Sequence, residues 1–187
     1  MLISNEFEVA LPVAKVWEFF GDIPRVAACL PGAELTGDRG EDSYEGRVAI
    51  RMGPVRLRFT GIADITSRDD AEHRIVVRAS GADERGRGQA EMTVTATLTP
   101  AASGTRVEVK QDLQLSGAAA QYGRGMISDV SSVLMRDFAT AMRRQIEGGS
   151  AVAAAPAQGL TIALRASMLA LTRVFRRFFL PYQPRRA

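Results

Sequence analysis

Residues 91–98 read EMTVTATL, an unbroken alternation of polar and apolar residues that predicts a β-strand with one buried face. Residues 55–65, VRLRFTGIADI, have the same period and place Leu57 and Phe59 opposite Arg56 and Arg58. This alternation, interrupted by turn residues, continues from residue 33 to residue 115. It predicts six consecutive antiparallel strands, with a tight turn at residues 52–54 and an exposed loop at residues 81–88.

One more strand and two short helices are predicted before these six strands, and one long helix is predicted after them. A strand beginning at Leu2 comes first, Pro12 then opens a short helix, and a second short helix begins at Asp22 and stops before Pro31 and Gly32. Residues 119–147 carry apolar residues at helical spacing, with Ser132 on the polar side. This order predicts an α+β helix-grip fold, in which a seven-stranded curved antiparallel sheet wraps around a long C-terminal helix.

The distribution of charge divides the chain into three parts. Residues 1–148 are the predicted helix-grip, ligand-binding domain, and residues 149–159 are a flexible linker of small residues. Residues 160–187 are predicted to form a separate amphipathic helix. From residue 151 to the end there are six of the 24 basic residues and none of the 21 acidic ones.

This tail, residues 160–187, is predicted to bind an anionic membrane surface, because an apolar stripe opposite arginines is typical of helices that lie in the headgroup region. The arginines leave too short an apolar run for a membrane span. An alternative is that the stripe packs against its own domain or against a partner protein. A nucleic-acid partner is not expected, since it would leave the stripe unexplained. The predicted membrane-binding residues are Leu164, Arg165, Met168, Leu171, Arg173, Phe175, Arg176, Arg177, Phe178 and Phe179.

Composition argues against most catalytic and metal sites. The chain of 187 residues has one cysteine, Cys29, and one histidine, His73, so a Cys/His metal cluster, a Cys–His dyad or an internal disulfide is not expected. The glycines near residue 86 lead into a strand rather than a helix, which is the wrong context for a phosphate-binding loop. The first ten residues do not resemble a signal peptide, so a cytoplasmic protein is expected.

The inner faces of the predicted strands mix long or aromatic side chains with small ones. Small residues beneath a covering helix leave volume unfilled, which favours an adaptable apolar pocket for a hydrophobic ligand. The alternative is that these side chains simply pack against one another. The residues concerned include Met52, Phe59, Met92 and Met126 among the long ones, and Ala63, Ala79 and Ala96 among the small ones.

Several short motifs occur along the chain in a recognisable order. They are Leu30-Pro31-Gly32-Ala33-Glu34-Leu35, residues 46–59 with Met52-Gly53-Pro54-Val55, Gly61, and Tyr122-Gly123-Arg124-Gly125-Met126-Ile127. Together they resemble the motifs of the carbon monoxide dehydrogenase G-subunit family, within the START-like, or polyketide cyclase-like (SRPBCC), superfamily. The resemblance implies an accessory protein of a molybdenum hydroxylase, often with a membrane-associating C-terminal extension and with no molybdenum site of its own.

Together, the pocket, the tail and the resemblance suggest a protein that is cytoplasmic but peripheral on the inner face of the cell membrane. It would bind an isoprenoid quinone or other lipid non-covalently and recruit molybdenum-containing dehydrogenase subunits, assisting electron transfer to the quinone. Gln111 is expected to donate to a ligand carbonyl, or else to bond neighbouring backbone. The predicted ligand-binding residues are Trp17, Phe20, Met52, Phe59, Met92, Gln111, Tyr122, Met126, Val130, Leu134 and Phe138.

Two other functions remain open at this stage. An enzyme of the cyclase or dehydratase kind needs a positioned acid or base inside the cavity, and the inward-facing positions offer almost none. An adaptor with a filled core would anchor the dehydrogenase without carrying a ligand. No catalytic residue and no metal ligand is assigned.

Overall fold

The computed structural model of the chain describes residues 1–52 and 55–148. The predicted linker and tail, and turn residues 53 and 54, lie outside this part. The described elements are β1 (Leu2–Val9), α1 (Val13–Phe20), α2 (Ile23–Cys29), β2 (Ala33–Gly40), β3 (Ser43–Met52), β4 (Val55–Asp69), β5 (Arg74–Asp83), β6 (Gln89–Ala101), β7 (Gly104–Leu115), a 3₁₀ turn (Gly117–Gln121) and α3 (Arg124–Gly148).

The seven strands form one antiparallel sheet in the order β1-β7-β6-β5-β4-β3-β2. Each strand from β2 to β6 pairs with the next one in the chain, while β1 pairs with β7, so β1 and β2 are the two edges. The predicted inner face is present: Leu57, Ala96, Leu98 and Val107 are buried. The α+β helix-grip prediction is confirmed.

A pair of facing glycines lies where β4 and β5 come closest. Gly61 is directly opposite Gly81 in the register. A side chain on Gly61 would collide with the backbone of Ser80 and would reach 2.6 Å from the Gly81 Cα. β4 also has a bulge between Ile65 and Ser67. Glycines and bulges allow strands to bend, so these features let the long strands curve.

Two sequence predictions of local structure are wrong. The sequence predicts a loop at residues 81–88, but β5 continues to Asp83. The strand is longer than predicted because Gly81 pairs with Gly61 within the sheet. The long helix begins at Arg124 rather than at residue 119. A 3₁₀ turn precedes it, and the extended backbone of Tyr122 separates the two (ψ 131°).

The main core lies between the sheet, α1, α2 and the C-terminal half of α3. Phe138 contacts Phe7 and Phe20 edge-on, with ring centroids 6.1 and 6.3 Å apart, which ties α3 to β1 and α1. Cys29 is buried in this core, and burial raises the pKa of its thiol to about 11. Within the described ranges, no helix is long and apolar enough to cross a membrane.

Gly61→Ala is expected to lower the free energy of unfolding by about 1–3 kcal/mol, because the added methyl group meets backbone that cannot move aside. Gly125→Ala is the matched control, since a Cβ there has no neighbour within 4 Å. The control should change stability by less than about 1 kcal/mol, in the stabilising direction. Urea denaturation of both variants measures this, and equal effects would contradict the role given to Gly61.

Candidate functional site

A second apolar cluster lies beneath the N-terminal half of α3, apart from the main core. Its buried members are Leu57 and Phe59 of β4, Ala119 of the 3₁₀ turn and Val130 of α3. Partly buried residues pack around these four from β3, β6, β7, α3 and the segment between the 3₁₀ turn and α3. They are Val48, Ile50, Ala90, Leu115, Tyr122 and Leu134.

Incomplete burial distinguishes this second cluster from the main core. α1 and α2 help to close the main core, where Val16, Val107 and Met142 have no exposed surface. The second cluster has only the 3₁₀ turn and α3 over it, and six of its ten members are still half-buried. Met126, one turn before Val130, is 44% exposed. A patch of apolar surface in contact with solvent favours a ligand that would cover it.

Four polar residues, which we call the polar belt, bond to one another between α3 and the sheet: Asn5, Gln111, Ser131 and Ser132. Asn5 Nδ2 donates to Ser131 Oγ at 3.0 Å, and Ser131 Oγ donates to Gln111 Oε1 at 3.3 Å. Gln111 and Ser131 are each 7% exposed. Because Ser131 occupies the amide oxygen of Gln111, the belt fixes the orientation of this amide.

Ser132 lies away from the solvent-facing side that its sequence position predicts. Its hydroxyl bonds Asn5 Oδ1 at 3.2 Å and Ser128 O at 2.9 Å. The reason is that α3 lies along the edge strand β1, where Arg143 also donates to Glu8 O. The side of α3 that faces β1 is therefore packed against this strand and is not turned to solvent. Sequence reasoning missed Asn5 and Ser131, although Ser131 stands three and seven residues before Leu134 and Phe138 on one helical stripe.

The structure divides the predicted ligand-binding residues. Phe59, Tyr122, Val130 and Leu134 come together in the second cluster, and Gln111 lies in the polar belt. Trp17, Phe20 and Phe138 are in the main core. Met126 is exposed, and Met92 is half-buried beside a polar surface hollow of about 320 Å³. The side chain of Met52 lies outside the described part.

Trp17 is held by polar neighbours as well as by the main core. Its Nε1 donates to Asp70 Oδ1 at 2.8 Å, the Arg68 guanidinium lies 4.9 Å from its ring, and His73 stacks edge-on at 5.5 Å. These contacts occupy the polar edge and one face of the indole. The arrangement is that of a packing residue that closes one end of the fold.

Ionisable groups are scarce at the second cluster. Tyr122 is the only ionisable residue among its described members. Over the same described ranges, no three His, Cys, Asp or Glu side chains group in a way that could hold a metal ion. The nearby buried carboxylate, Asp83, is already bonded to Arg87 at 2.8 Å and to three backbone N–H groups.

Asp83 fastens the β5–β6 loop to β4. Its hydrogen bonds from the Arg87 side chain, and from the N–H groups of Arg58, Arg87 and Arg85, hold its pKa well below the usual range against the opposing effect of burial. Arg87 also donates to Arg56 O at 2.6 Å. Through Asp83 and Arg87, the β5–β6 loop is thus held against β4.

This low pKa predicts a pH dependence of stability. A carboxyl whose folded pKa is depressed contributes stability above its unfolded pKa of about 3.9 and loses that contribution as the pH falls below it. Stability should therefore fall as the pH drops below about 4, and less steeply in Asp83→Asn. Thermal unfolding at several pH values measures this, with Asp38→Asn, an exposed carboxylate, as the control. Parallel pH profiles for wild type and Asp83→Asn would contradict the assignment.

Ser131→Ala tests the polar belt, because it leaves the Gln111 oxygen and the Asn5 amide without their partner. The expected loss is about 1–3 kcal/mol of unfolding free energy. Thr140→Ala on the exposed side of α3 removes only a bond to Arg136 O and should change stability by less than about 0.5 kcal/mol. Urea denaturation measures both, and a neutral Ser131→Ala would mean that the belt is not a stabilising network.

A family model described as the G subunit of carbon monoxide dehydrogenase (CoxG) matches residues 6–147. Among curated proteins, no sequence matches this chain.

Solved structures share the fold at low sequence identity. A conserved protein from Geobacillus kaustophilus is 21% identical with a TM-score of 0.71, over 80% of this chain and 97% of that one. The ZhuI aromatase/cyclase from Streptomyces sp. R1128 is 16% identical with a TM-score of 0.51, over 80% and 92%. Ara h 8.0201 is 16% identical with a TM-score of 0.52, over 79% and 98%. These likenesses place the sheet and helix in the SRPBCC-like fold.

Proposed function

We propose that this chain, which belongs to the carbon monoxide dehydrogenase G-subunit (CoxG) family, is a non-catalytic accessory protein that binds a hydrophobic ligand against the second cluster. The observation that carries the proposal is the half-buried state of six apolar side chains between the sheet and the N-terminal half of α3. A ligand that covered them would gain about 25 cal/mol for each Å² of apolar surface removed from water. Family membership supplies the partner, a carbon monoxide dehydrogenase-type molybdenum hydroxylase.

An isoprenoid quinone is the ligand class that suits the cluster and the polar belt together. Its isoprenoid chain is apolar, and its ring carbonyls accept hydrogen bonds. Ser131 holds the Gln111 oxygen, so the Gln111 amide nitrogen is the group that would donate to such a carbonyl. A quinone is also the electron acceptor that a respiratory dehydrogenase needs and that stays dissolved in lipid.

Membrane coupling is the second part of the proposal and rests on the sequence of the tail. Its arginines and its apolar stripe would hold the protein at an anionic bilayer, where the quinone resides. The body would carry the ligand and the tail would provide the location. A cytoplasmic dehydrogenase could then reach a lipid-soluble acceptor without entering the bilayer.

Ala90→Leu tests ligand binding, because it fills the second cluster from β6. The full chain should lose roughly tenfold or more of its affinity for detergent-solubilised menaquinone, equivalent to about 1.4 kcal/mol, without loss of thermal stability. Ala82→Leu is the matched control, since Ala82 is an exposed strand residue one register step away. Quinone bound per protein, measured by mass spectrometry of the extracted lipid, decides the outcome.

Two results would count against the proposal. If wild-type protein bound no quinone at any loading, an adaptor with a filled core would explain the family role better. If Ala90→Leu and Ala82→Leu bound quinone equally, the ligand would lie elsewhere than the second cluster.

A further inference from the structure

Three arginines crowd the outer face of the hairpin formed by β3 and β4. Arg51 lies directly opposite Arg56 in the register, and Arg58 follows two residues later on the same face. Like charges directly opposite each other on a sheet are destabilising. Their outward direction follows from the alternation, because Ile50 and Leu57 beside them pack inward in the second cluster.

Other arginines on the outer sheet face have acidic neighbours. Arg47 pairs with Glu34 at 3.4 Å, and Arg106 pairs with Glu8 at 3.0 Å. Arg78 lies opposite Asp64 in the register. None of the ion pairs formed among residues 1–52 and 55–148 involves the three hairpin arginines, and the remaining residues include no aspartate or glutamate. The hairpin therefore concentrates positive charge where folding gains nothing from it.

These arginines lie at the end of the sheet where the second cluster is exposed. The hairpin's inner side contributes Ile50 and Leu57 to the cluster, and Arg56 O accepts a bond from Arg87 of the neighbouring loop. Met126 is 44% exposed one turn before Val130 of the same cluster. Exposed apolar surface and unpaired positive charge thus occur at the same end of the sheet, on its inner and outer faces.

We propose that the end of the sheet that carries Arg51, Arg56 and Arg58 docks on an anionic lipid surface, which brings the exposed side of the second cluster, at the same end, close to the bilayer. The inference rests on the proposed function, since a ligand dissolved in lipid must pass from the bilayer to the second cluster. Positive charge beside exposed apolar surface matches phosphate headgroups above an acyl layer better than it matches an acidic protein, which would complement the charge alone.

The test compares two full-length triple variants with the same change in net charge. Arg51→Gln, Arg56→Gln and Arg58→Gln together remove the hairpin charge, while Arg39→Gln, Arg74→Gln and Arg78→Gln remove three exposed arginines elsewhere on the sheet. Each protein is sedimented with phosphatidylcholine vesicles containing phosphatidylglycerol. Since each basic residue near such a surface multiplies partitioning about fivefold, the hairpin variant should bind about a hundredfold more weakly, and the control should retain most of its binding.

Quinone transfer separates this inference from the proposed function. The hairpin variant should load menaquinone from detergent micelles as wild type does but extract it more slowly from the anionic vesicles. If the wild-type protein did not load menaquinone from micelles, the proposed function would be wrong. Normal micelle loading with unchanged vesicle binding and extraction in the hairpin variant would overturn only the docking surface.

Two further outcomes also overturn lipid docking. Equal weakening of both triple variants would show a response to net charge alone. Retained vesicle binding with lost capture of the purified dehydrogenase would show that the hairpin contacts a protein. Misfolding is controlled by thermal unfolding, where relief of the Arg51–Arg56 repulsion should leave the hairpin variant at least as stable as wild type.

Discussion

The width of the sheet is the constraint on which the rest of this structure depends. Seven strands spaced about 4.8 Å apart would span roughly 30 Å if flat, whereas a helix with its side chains is about 10–12 Å across. Curvature at the Gly61–Gly81 contact reduces the difference between the width of the sheet and that of the helix. The helices α1 and α2 cover one end of the inner face. The other end is covered by the N-terminal half of α3 and one 3₁₀ turn, and there six of the ten apolar residues remain half-buried.

This uneven cover separates stability from binding within one domain. The aromatic contacts of Phe138 fix α3 against β1 and α1, and the contacts of Trp17 fix α1 against the β4–β5 turn. The polar belt then holds α3 to β1 and β7 at the boundary of the two apolar clusters. A buried polar network specifies one arrangement, because a shifted helix would leave Gln111 and Asn5 without partners. The exposed end can therefore remain incompletely packed without the helix losing its position.

The sequence predicts the fold well and the site only partly, for physical reasons. Alternation in residues 91–98 reports which side chains face inward, and the strands follow it. Periodicity predicts that Trp17, Phe20 and Phe138 face inward, but it does not show which apolar cluster each one joins, and the structure places all three in the main core. Residue 81 suggests a loop because glycine is common in turns, but here its missing side chain serves a strand contact. The helical stripe with Leu134 and Phe138 indicates that Ser131 faces inward, but its partners Asn5 and Gln111 are distant in sequence and no local pattern identifies them.

Positive charge in two separated places bears on how a carrier could work. The hairpin arginines belong to the folded body, and the six tail arginines follow residue 150. Two weak attachments joined by a linker bind more tightly together than either does alone, because the second forms at a high effective concentration. Each attachment can still release by itself. A protein that takes a ligand from lipid and delivers it to a dehydrogenase must also be able to turn away from the membrane. If both regions contact lipid, a tethered tail with a reversible body contact would permit that turn, whereas a single strong anchor on the body would prevent it.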